Sequence, residues 1–219
     1  MSSSPLAVSL AGNALTTLED MKVLLGIDPS DIEPMRDAIL THTINAVSAW
    51  VERTLGRKLR LQTYTHRFNA TGGQYLTLEQ WPVVKVYRVK DTDSGYIIPP
   101  ASYDFGQTGE IGQLYRDEGW PLAGYRAGLA YDTVAPKRCI EAKYAAGYVL
   151  PKDADPPRRP CTLPADILSV VWQAVEQEYT LRCSGAAGLA AFSIADISWT
   201  FDKSPNPTWL ATLARYTRI

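Results

Sequence analysis

The sequence predicts an α+β protein in which an α-helical bundle carries an inserted antiparallel β block of the sandwich or barrel type. The prediction depends on a change in hydrophobic periodicity along the chain. Near both ends apolar residues recur every three to four positions, as in helices with one buried face, whereas in the middle they alternate with polar residues, as in half-buried strands. Helices are therefore expected at about residues 17–25, 32–55, 163–182 and 208–216.

The segment 163–182 is the clearest helix in the sequence. Pro164 suits its first turn, where the missing N–H costs no hydrogen bond. The N-cap is Leu163 or Thr162, and only Thr162 has a side chain that can cap. The apolar positions have the i, i+3, i+4, i+7 spacing of one buried face, and they are Ile167, Val170, Val171, Ala174, Val175, Tyr179 and Leu181. We expect the other helices to pack against this one.

Two helices are predicted ahead of the β block. The first begins at Thr16 or Thr17, because residues 16–19 have the Thr-x-x-Glu pattern of a capping box. The second is long, and the same periodicity assigns it a single buried face. That predicted face comprises Ile32, Met35, Ile39, Thr43, Ala46, Val47, Trp50, Val51 and Leu55.

The middle of the chain has the pattern of a β block. Apolar and polar residues alternate over residues 58–68, and glycine-containing turns at 91–95 and 106–112 separate later segments. Several short strands at about ten-residue spacing are typical of a small antiparallel sandwich or open barrel. The further strands are predicted at 75–78, 83–90, 96–99, 103–105, 113–115 and 138–145.

These elements predict a chain with an interrupted helical domain. The last helix would be capped by Thr208. The expected organisation is a flexible arm at 1–14, a helical bundle domain of 15–57 with 162–183, an inserted β domain at 58–147, a proline-rich connector at 148–161, and a C-terminal arm with a short terminal helix at 184–219.

The composition is that of an ordinary globular protein. The 219 residues carry a net charge of −1 at pH 7, which provides no general attraction to nucleic acid or to an anionic membrane. No segment reaches the roughly 18 apolar residues of a membrane span, and the N-terminus has no signal-peptide pattern. We therefore expect a soluble protein that is made in the cytoplasm and has no membrane partner.

Residues suited to catalysis or metal binding are sparse. The sequence has only two histidines, and its three cysteines lack zinc-binding spacing. It has no HExxH, nucleophile-elbow or phosphate-loop motif. The sequence therefore predicts no enzyme, no cofactor and no metal site.

Aromatic residues and one basic pair are the better candidates for binding. Twelve tyrosines and six tryptophans are present, and both types are favoured in interfaces. The basic pair Arg158 and Arg159, in the proline-rich connector, can contact phosphate or an acidic partner, although an ordinary solvated loop is the alternative. The C-terminal segment needs an apolar surface on which to lie, and its candidate contacts with another protein are Trp199, Phe201, Trp209, Leu210, Leu213 and Tyr216.

Several short motifs follow one another along the chain. They are TTLEDMKVLLGI at 16–27, VERTLGRKL at 51–59, WPVVKV at 81–86, YAAGY at 144–148, LPADI at 163–167, YTLR at 179–182 and LARY at 213–216. Their order and spacing resemble those of the head–tail connector (adaptor) proteins of tailed phages and of related prophages or gene transfer agents, and the resemblance covers most of residues 15–216.

The resemblance implies a structural virion protein at the head–tail interface. Members of this family form a ring, usually of twelve copies, which binds the portal, extends the DNA channel and docks the next neck or tail protein. DNA would pass through the ring without sequence-specific binding, and no catalytic residue is carried over. Two alternatives stay open: a neck stopper or tail-completion protein, and a β-sandwich module that binds a glycan or receptor through its aromatic residues.

Overall fold

The computed structural model describes residues 8–69, 72–92, 94–121, 139–183, 191–194, 197–200 and 206–217. The chain divides into two compact units. Met1–Gly56 and Val149–Ile219 together form the first, and Arg57–Tyr148 forms the second. We call them the helical unit and the β unit. Because helices and antiparallel sheets are both present, the predicted α+β class is confirmed.

The secondary structure is summarised here in chain order. Helices α1 and α2 precede the β unit, and α3 and α4 follow it. The four helices are α1 (Leu18–Leu24), α2 (Pro34–Leu55), α3 (Ala165–Cys183) and α4 (Pro207–Ala214). The described strands are β1 (Gln62–Phe68), β2 (Tyr75–Thr77), β3 (Val83–Asp91), β4 (Ile97–Ile98), β5 (Gln113–Tyr115), β6 (Ile140–Ala146), β7 (Ala191–Ile194) and β8 (Ile197–Thr200).

The core of the helical unit lies where α2 packs on α3, with α1 and α4 against the same pair. Five of the seven apolar positions predicted for α3 are buried, and Tyr179 and Leu181 are half-buried. From α2, the buried apolar side chains are Ala38, Leu40, Ile44, Val47, Val51 and Leu55. The periodic spacing thus located the buried face of α3, but for α2 only Thr43, Val47, Val51 and Leu55 of the nine predicted positions are buried. Ala46 is exposed, and the buried Leu40 and Ile44 lie outside the predicted face, because α2 packs against three other helices and not against one.

The polar groups at the helix ends agree only in part with those predicted. Thr17 caps α1, because its hydroxyl accepts from the Asp20 N–H at 3.0 Å. Thr16 is buried instead, and its hydroxyl accepts from the Trp172 indole N–H at 2.9 Å. The Thr162 hydroxyl accepts from the N–H of Val149 at 2.9 Å. Sequence spacing could not separate these roles, because a hydroxyl serves equally well at a cap or in a tertiary hydrogen bond.

Helix α4 also has a different cap from the one predicted. Asn206 is the N-cap residue, and its side-chain oxygen accepts from the Thr208 N–H at 2.9 Å. Pro207 occupies the first helical position, where a missing N–H is tolerated. Thr208 therefore lies one residue inside the helix rather than at its cap.

The β unit contains a four-stranded antiparallel sheet in the order β1-β6-β3-β4, and β2 pairs with β5. The described strands close no barrel, so the barrel alternative is not supported. Tyr103–Phe105 is not a strand, since only Asp104 pairs there, with Tyr115. One hydrophobic cluster joins residues of both sheets: Phe68, Leu76, Leu78, Val83, Val89, Ile98, Leu114, Trp120, Cys139, Ile140, Ala142, Tyr144 and Ala146.

Candidate assembly surfaces

Helix α4 is part of the helical core and not a free arm. Trp209 is 8% exposed and Leu213 is fully buried. The Trp209 indole N–H donates to the Gln173 side-chain oxygen at 2.9 Å, and the Tyr216 hydroxyl lies 2.6 and 2.8 Å from the two carboxylate oxygens of Asp166. These three side chains, which the sequence predicted as contacts with another protein, therefore pack within the chain's own helical unit.

The remaining candidates of this segment differ in what the structure describes. Leu210 is 42% exposed, so it is the α4 candidate that stays available to a partner. Trp199 lies in β8, where its backbone is in register with Phe192 of β7. Phe201 lies outside the described residues. A partner contact at these three positions stays a prediction.

Arg158 and Arg159 lie in a tight reversal of the proline-rich connector. The backbone N–H groups of Asp155 and Arg159 each donate to the other residue's carbonyl oxygen at 2.8 Å. Both arginines are exposed. The pair is therefore presented on a hydrogen-bonded turn, although nothing in the described residues shows what it binds.

A second exposed surface lies where the end of α1 meets the start of α2, and we call it the acidic corner (residues 18–37). Ile32 and Met35 were predicted to be buried, but they are 79% and 58% exposed. Ile32 precedes the helix, and the buried face of α2 begins only at Ala38. Val23 and Leu24 of α1 are also exposed, at 62% and 42%. Four large apolar side chains therefore face solvent at this corner.

A buried lysine holds the acidic corner together. Lys22 is 3% exposed, and its ammonium group lies 2.8 Å from the Asp37 carboxylate and 2.8 Å from the Asp31 carbonyl oxygen. Arg36 adds ion pairs with Asp31 at 3.0 Å and with Glu33 at 3.3 Å. Both cations of the corner are thus taken up in internal contacts, while most of its carboxylates face outward.

The acidic corner carries an excess of negative charge. Residues 18–37 contain six acidic and two basic side chains, a net charge of −4. The exposed acids are Glu19, Asp20, Asp28, Asp31 and Glu33. Glu19 is four positions before Val23, and Asp20 is four before Leu24, so acidic and apolar side chains share one face of α1.

The outer face of the four-stranded sheet, which we call the basic face, has the opposite charge. Register places Arg67, Glu141 and Lys90 in one row across β1, β6 and β3, and Lys143 beside Arg88 in the next. Lys85 follows, opposite Ala145. These rows therefore hold five basic residues and one acidic residue, a net charge of +4.

The single acid among those rows is already paired. The Glu141 carboxylate is 17% exposed and lies 2.9 Å from Arg88 and 3.5 Å from Arg67. A carboxylate shared by two guanidinium groups organises the basic side chains but leaves the surface cationic. Surface ion pairs of this kind contribute little to stability.

Irregular pairing brings apolar side chains to the same surface. Strand β3 shifts register between Val83 and Lys85 and again between Val86 and Arg88. Each shift leaves one extra residue, Val84 or Tyr87, and these are 55% and 48% exposed. On β4, Ile97 pairs with Lys90 and is 55% exposed, and Tyr96 beside it is 58% exposed.

A polar aromatic cluster lies on the inner side of β1 and β6. The Tyr144 hydroxyl accepts from the Gln80 N–H at 3.2 Å and lies 3.2 Å from His66 Nδ1. Burial raises the pKa of Tyr144 to about 12. Glu79 lies 3.3 Å from the same histidine nitrogen. In the described ranges, no three His, Cys, Asp or Glu side chains are grouped as metal ligands.

Sequence comparison does not identify a family for this chain. No protein-family model matches it, and a search of curated proteins finds no match. Every described helix is also too short or too polar to be a transmembrane span.

Comparison of structures does find similar proteins. The fold is similar to that of a chain in the neck of an empty GTA particle computed with C6 symmetry, with a TM-score of 0.53 and 18% identity over 97% of this chain and 94% of that chain. A chain in the neck of a native GTA particle computed with C12 symmetry has a TM-score of 0.52 and 16% identity, over 97% of this chain and 93% of that chain. A chain in the virion of the native gene transfer agent (GTA) particle has a TM-score of 0.50 and 18% identity, over 97% of this chain and 94% of that chain.

The similarity covers nearly the whole of each chain and therefore includes both the helical unit and the β unit. At these identities it shows a shared fold. The chain has the fold of proteins that occur in the neck and virion of gene transfer agent particles.

Proposed function

We propose that this protein is a head–tail connector (adaptor) of a tailed phage, prophage or gene transfer agent. It binds the portal below the capsid vertex, forms a ring of twelve copies that extends the DNA channel, and docks the next neck or tail protein. It acts as a structural component of the virion and not as an enzyme. DNA passes through the ring without sequence-specific contacts.

The fold similarity to neck proteins, which extends over 97% of this chain, carries the proposal. Those necks were computed with C6 and C12 symmetry, which supports a ring for a chain of the same fold. One further observation agrees with an assembly role: both units expose clusters of large apolar side chains.

Within this proposal, the β7–β8 hairpin and the exposed side of α4 are the contacts with the portal or a neighbouring subunit. Trp199, Phe201 and Leu210 are the candidate residues. Trp209, Leu213 and Tyr216 support that surface from within, because they fix α4 to α3. Arg158 and Arg159 are assigned to the channel or to an acidic neck partner.

Co-sedimentation with the portal protein encoded in the same genome tests the proposal. We expect the wild-type chain to sediment with the portal, and negative-stain class averages to show a twelve-fold ring beneath it. A variant in which a Gly-Ser linker replaces residues 191–200 should lose portal binding and keep its helices, because it leaves α4 in place.

Each outcome of this experiment has a separate meaning. A wild-type chain that never associates with the portal would refute the adaptor function. A linker variant that binds the portal as the wild type does would refute only the contact assignment. A second test of the contact assignment is Leu210→Ser, which removes one exposed apolar side chain and should weaken binding without changing the circular dichroism spectrum.

A further inference from the structure

We infer that the acidic corner of one copy docks on the basic face of the next copy, and that this contact repeats around the ring. The inference rests on the proposed ring and adds the surfaces that join its subunits. It follows from two exposed patches of one chain that match each other in charge and in apolar content.

The acidic corner supplies an apolar centre with a negative rim. Val23, Leu24, Ile32 and Met35 are all at least 42% exposed. Five exposed acidic residues lie close to them in the sequence: Glu19, Asp20, Asp28, Asp31 and Glu33. The anchoring of Lys22 to Asp31 and Asp37 makes the corner a preformed surface, so docking requires little ordering.

The basic face supplies the complementary pattern. Val84, Tyr87, Tyr96 and Ile97 are at least 48% exposed and lie on β3, β4 or the turn between them. The basic side chains of the outer rows flank them. Lys85 already lies over the Tyr87 ring, with its nitrogen 5.3 Å from the ring centroid. Tyrosine and arginine are both enriched at protein interfaces.

The charges of the two surfaces balance. The acidic corner has a net charge of −4 and the basic face a net charge of +4. The two units differ in the same way. The β unit has twelve basic and nine acidic residues, whereas the helical unit has ten basic and fourteen acidic residues. Complementary charges steer association and fix the register of an interface.

The pattern favours a head-to-tail contact between copies. A symmetric dimer through either patch alone would place like charges against each other, which is unfavourable. Two different complementary patches on one chain make a heterologous interface, which closes into a ring when the rotation between copies allows it. Nucleic acid fits the basic face less well, because phosphates offer nothing for Val84, Tyr87 and Ile97 to contact.

Carbodiimide coupling tests the contact directly, because it joins a carboxylate to an amine only when they form a close pair. Equal amounts of ¹⁴N- and ¹⁵N-labelled chain are mixed before assembly on the portal. We expect links from carboxylates of residues 19–33 to Lys85, Lys90 or Lys143, with half of these links joining a light peptide to a heavy one. Links that occur only between peptides of the same label would show contact within one copy and would overturn the inference.

Charge reversal provides an independent test with an internal control for folding. Arg88→Glu/Lys143→Glu changes the net charge of the basic face from +4 to zero, and Glu19→Lys/Glu33→Lys changes that of the acidic corner from −4 to zero. Each variant alone should associate at least ~100-fold more weakly than the wild type, since the introduced charges then meet an unchanged patch of their own sign. In an equimolar mixture of the two variants, half of the contacts join the two unchanged patches and the other half join the two changed patches, in which the exchanged side chains are again opposite in sign. The mixture should therefore form an alternating ring with affinity within about tenfold of the wild type.

The matched control is Arg53→Glu/Arg215→Glu, which changes the net charge equally at two exposed positions outside both patches and should leave assembly unchanged. Raising the salt concentration from 0.15 to 1 M shortens the screening length from about 8 to about 3 Å and should weaken wild-type assembly. Either double variant assembling alone as the wild type does would overturn the inference.

The outcomes separate this inference from the proposed function. Portal-bound rings without the expected cross-links would refute the assigned surfaces and leave the adaptor function standing. The expected cross-links in a chain that never binds the portal would support the surfaces and refute the adaptor function. A chain that forms neither refutes both.

Discussion

Replacement of Leu213 by alanine tests whether α4 belongs to the helical core. Leu213 is fully buried, whereas Leu210, on the same helix, is 42% exposed. Truncating a buried leucine removes its transfer free energy and leaves a cavity, which together cost about 2–5 kcal/mol. Exposed positions usually change the free energy of unfolding by no more than about 0.5 kcal/mol. The two substitutions are chemically identical, so their difference reports burial alone.

Urea unfolding followed by circular dichroism measures the effect. With a slope of about 2 kcal/mol/M, we expect Leu213→Ala to lower the midpoint of the helical unit by about 1–2.5 M and Leu210→Ala to change it by less than about 0.3 M. Amide hydrogen exchange of peptides from α3 and α4 should show that the loss of protection is in these helices. Equal midpoints for the two variants would mean that α4 is not packed as the structure shows.

Five further substitutions test other features of the structure. Lys22→Met should lower the free energy of unfolding by about 3 kcal/mol, because it leaves the half-buried Asp37 carboxylate beside fewer cations. Adding Asp37→Leu should recover most of that loss. A Lys22→Met variant as stable as the wild type in urea would contradict the buried pair. Tyr144 has an ordinary pKa of about 10 when unfolded and one of about 12 when folded, so its contribution to stability is complete below pH 10 and declines as the pH rises towards 12. Urea midpoints between pH 9 and 12 should show this decline, and Tyr144→Phe should reduce it but not remove it, because burial also raises the pKa of Tyr179 to about 12. Gly147→Ala should destabilise the β unit by about 2 kcal/mol or more, because the φ angle of Gly147 is +110° and a Cβ would lie 2.7 Å from a backbone oxygen. Gly95→Ala, at a φ angle of +75° with no atom close to the added Cβ, should lower the free energy of unfolding by only about 1 kcal/mol. Equal shifts in the thermal midpoints of the Gly147→Ala and Gly95→Ala variants would contradict the steric reasoning.

Prediction from the sequence worked where local pattern and burial coincide. The spacing from Ile167 to Val175 defined the buried face of α3. The predicted start of this helix, residue 163, is two positions before the observed start at Ala165. The strand patterns in the middle of the chain located β1, β3 and β6, which lie next to one another in the four-stranded sheet. Such patterns succeed because a regular element with one buried face imposes its own period on the sequence.

The prediction of the site was weaker, because burial depends on what each element meets. Trp209, Leu213 and Tyr216 are as apolar or aromatic as an interface requires, yet α3 covers them. Ile32 and Met35 have the spacing of a buried face, yet they are exposed because the packed part of α2 starts after them. A sequence shows which side chains avoid water, but it does not show which partner removes them from it.

The sequence by itself determined the α+β class, the approximate positions of the helices and strands, and the lack of a recognisable catalytic motif, because each depends on residues that are neighbours along the chain. Only the tertiary structure decided that α4 lies on α3, and that five cations from three strands share one face of a sheet. Strand order and register bring together residues up to 84 positions apart, such as Gln62 and Ala146. No local pattern encodes that proximity, because it arises from the packing of the whole unit.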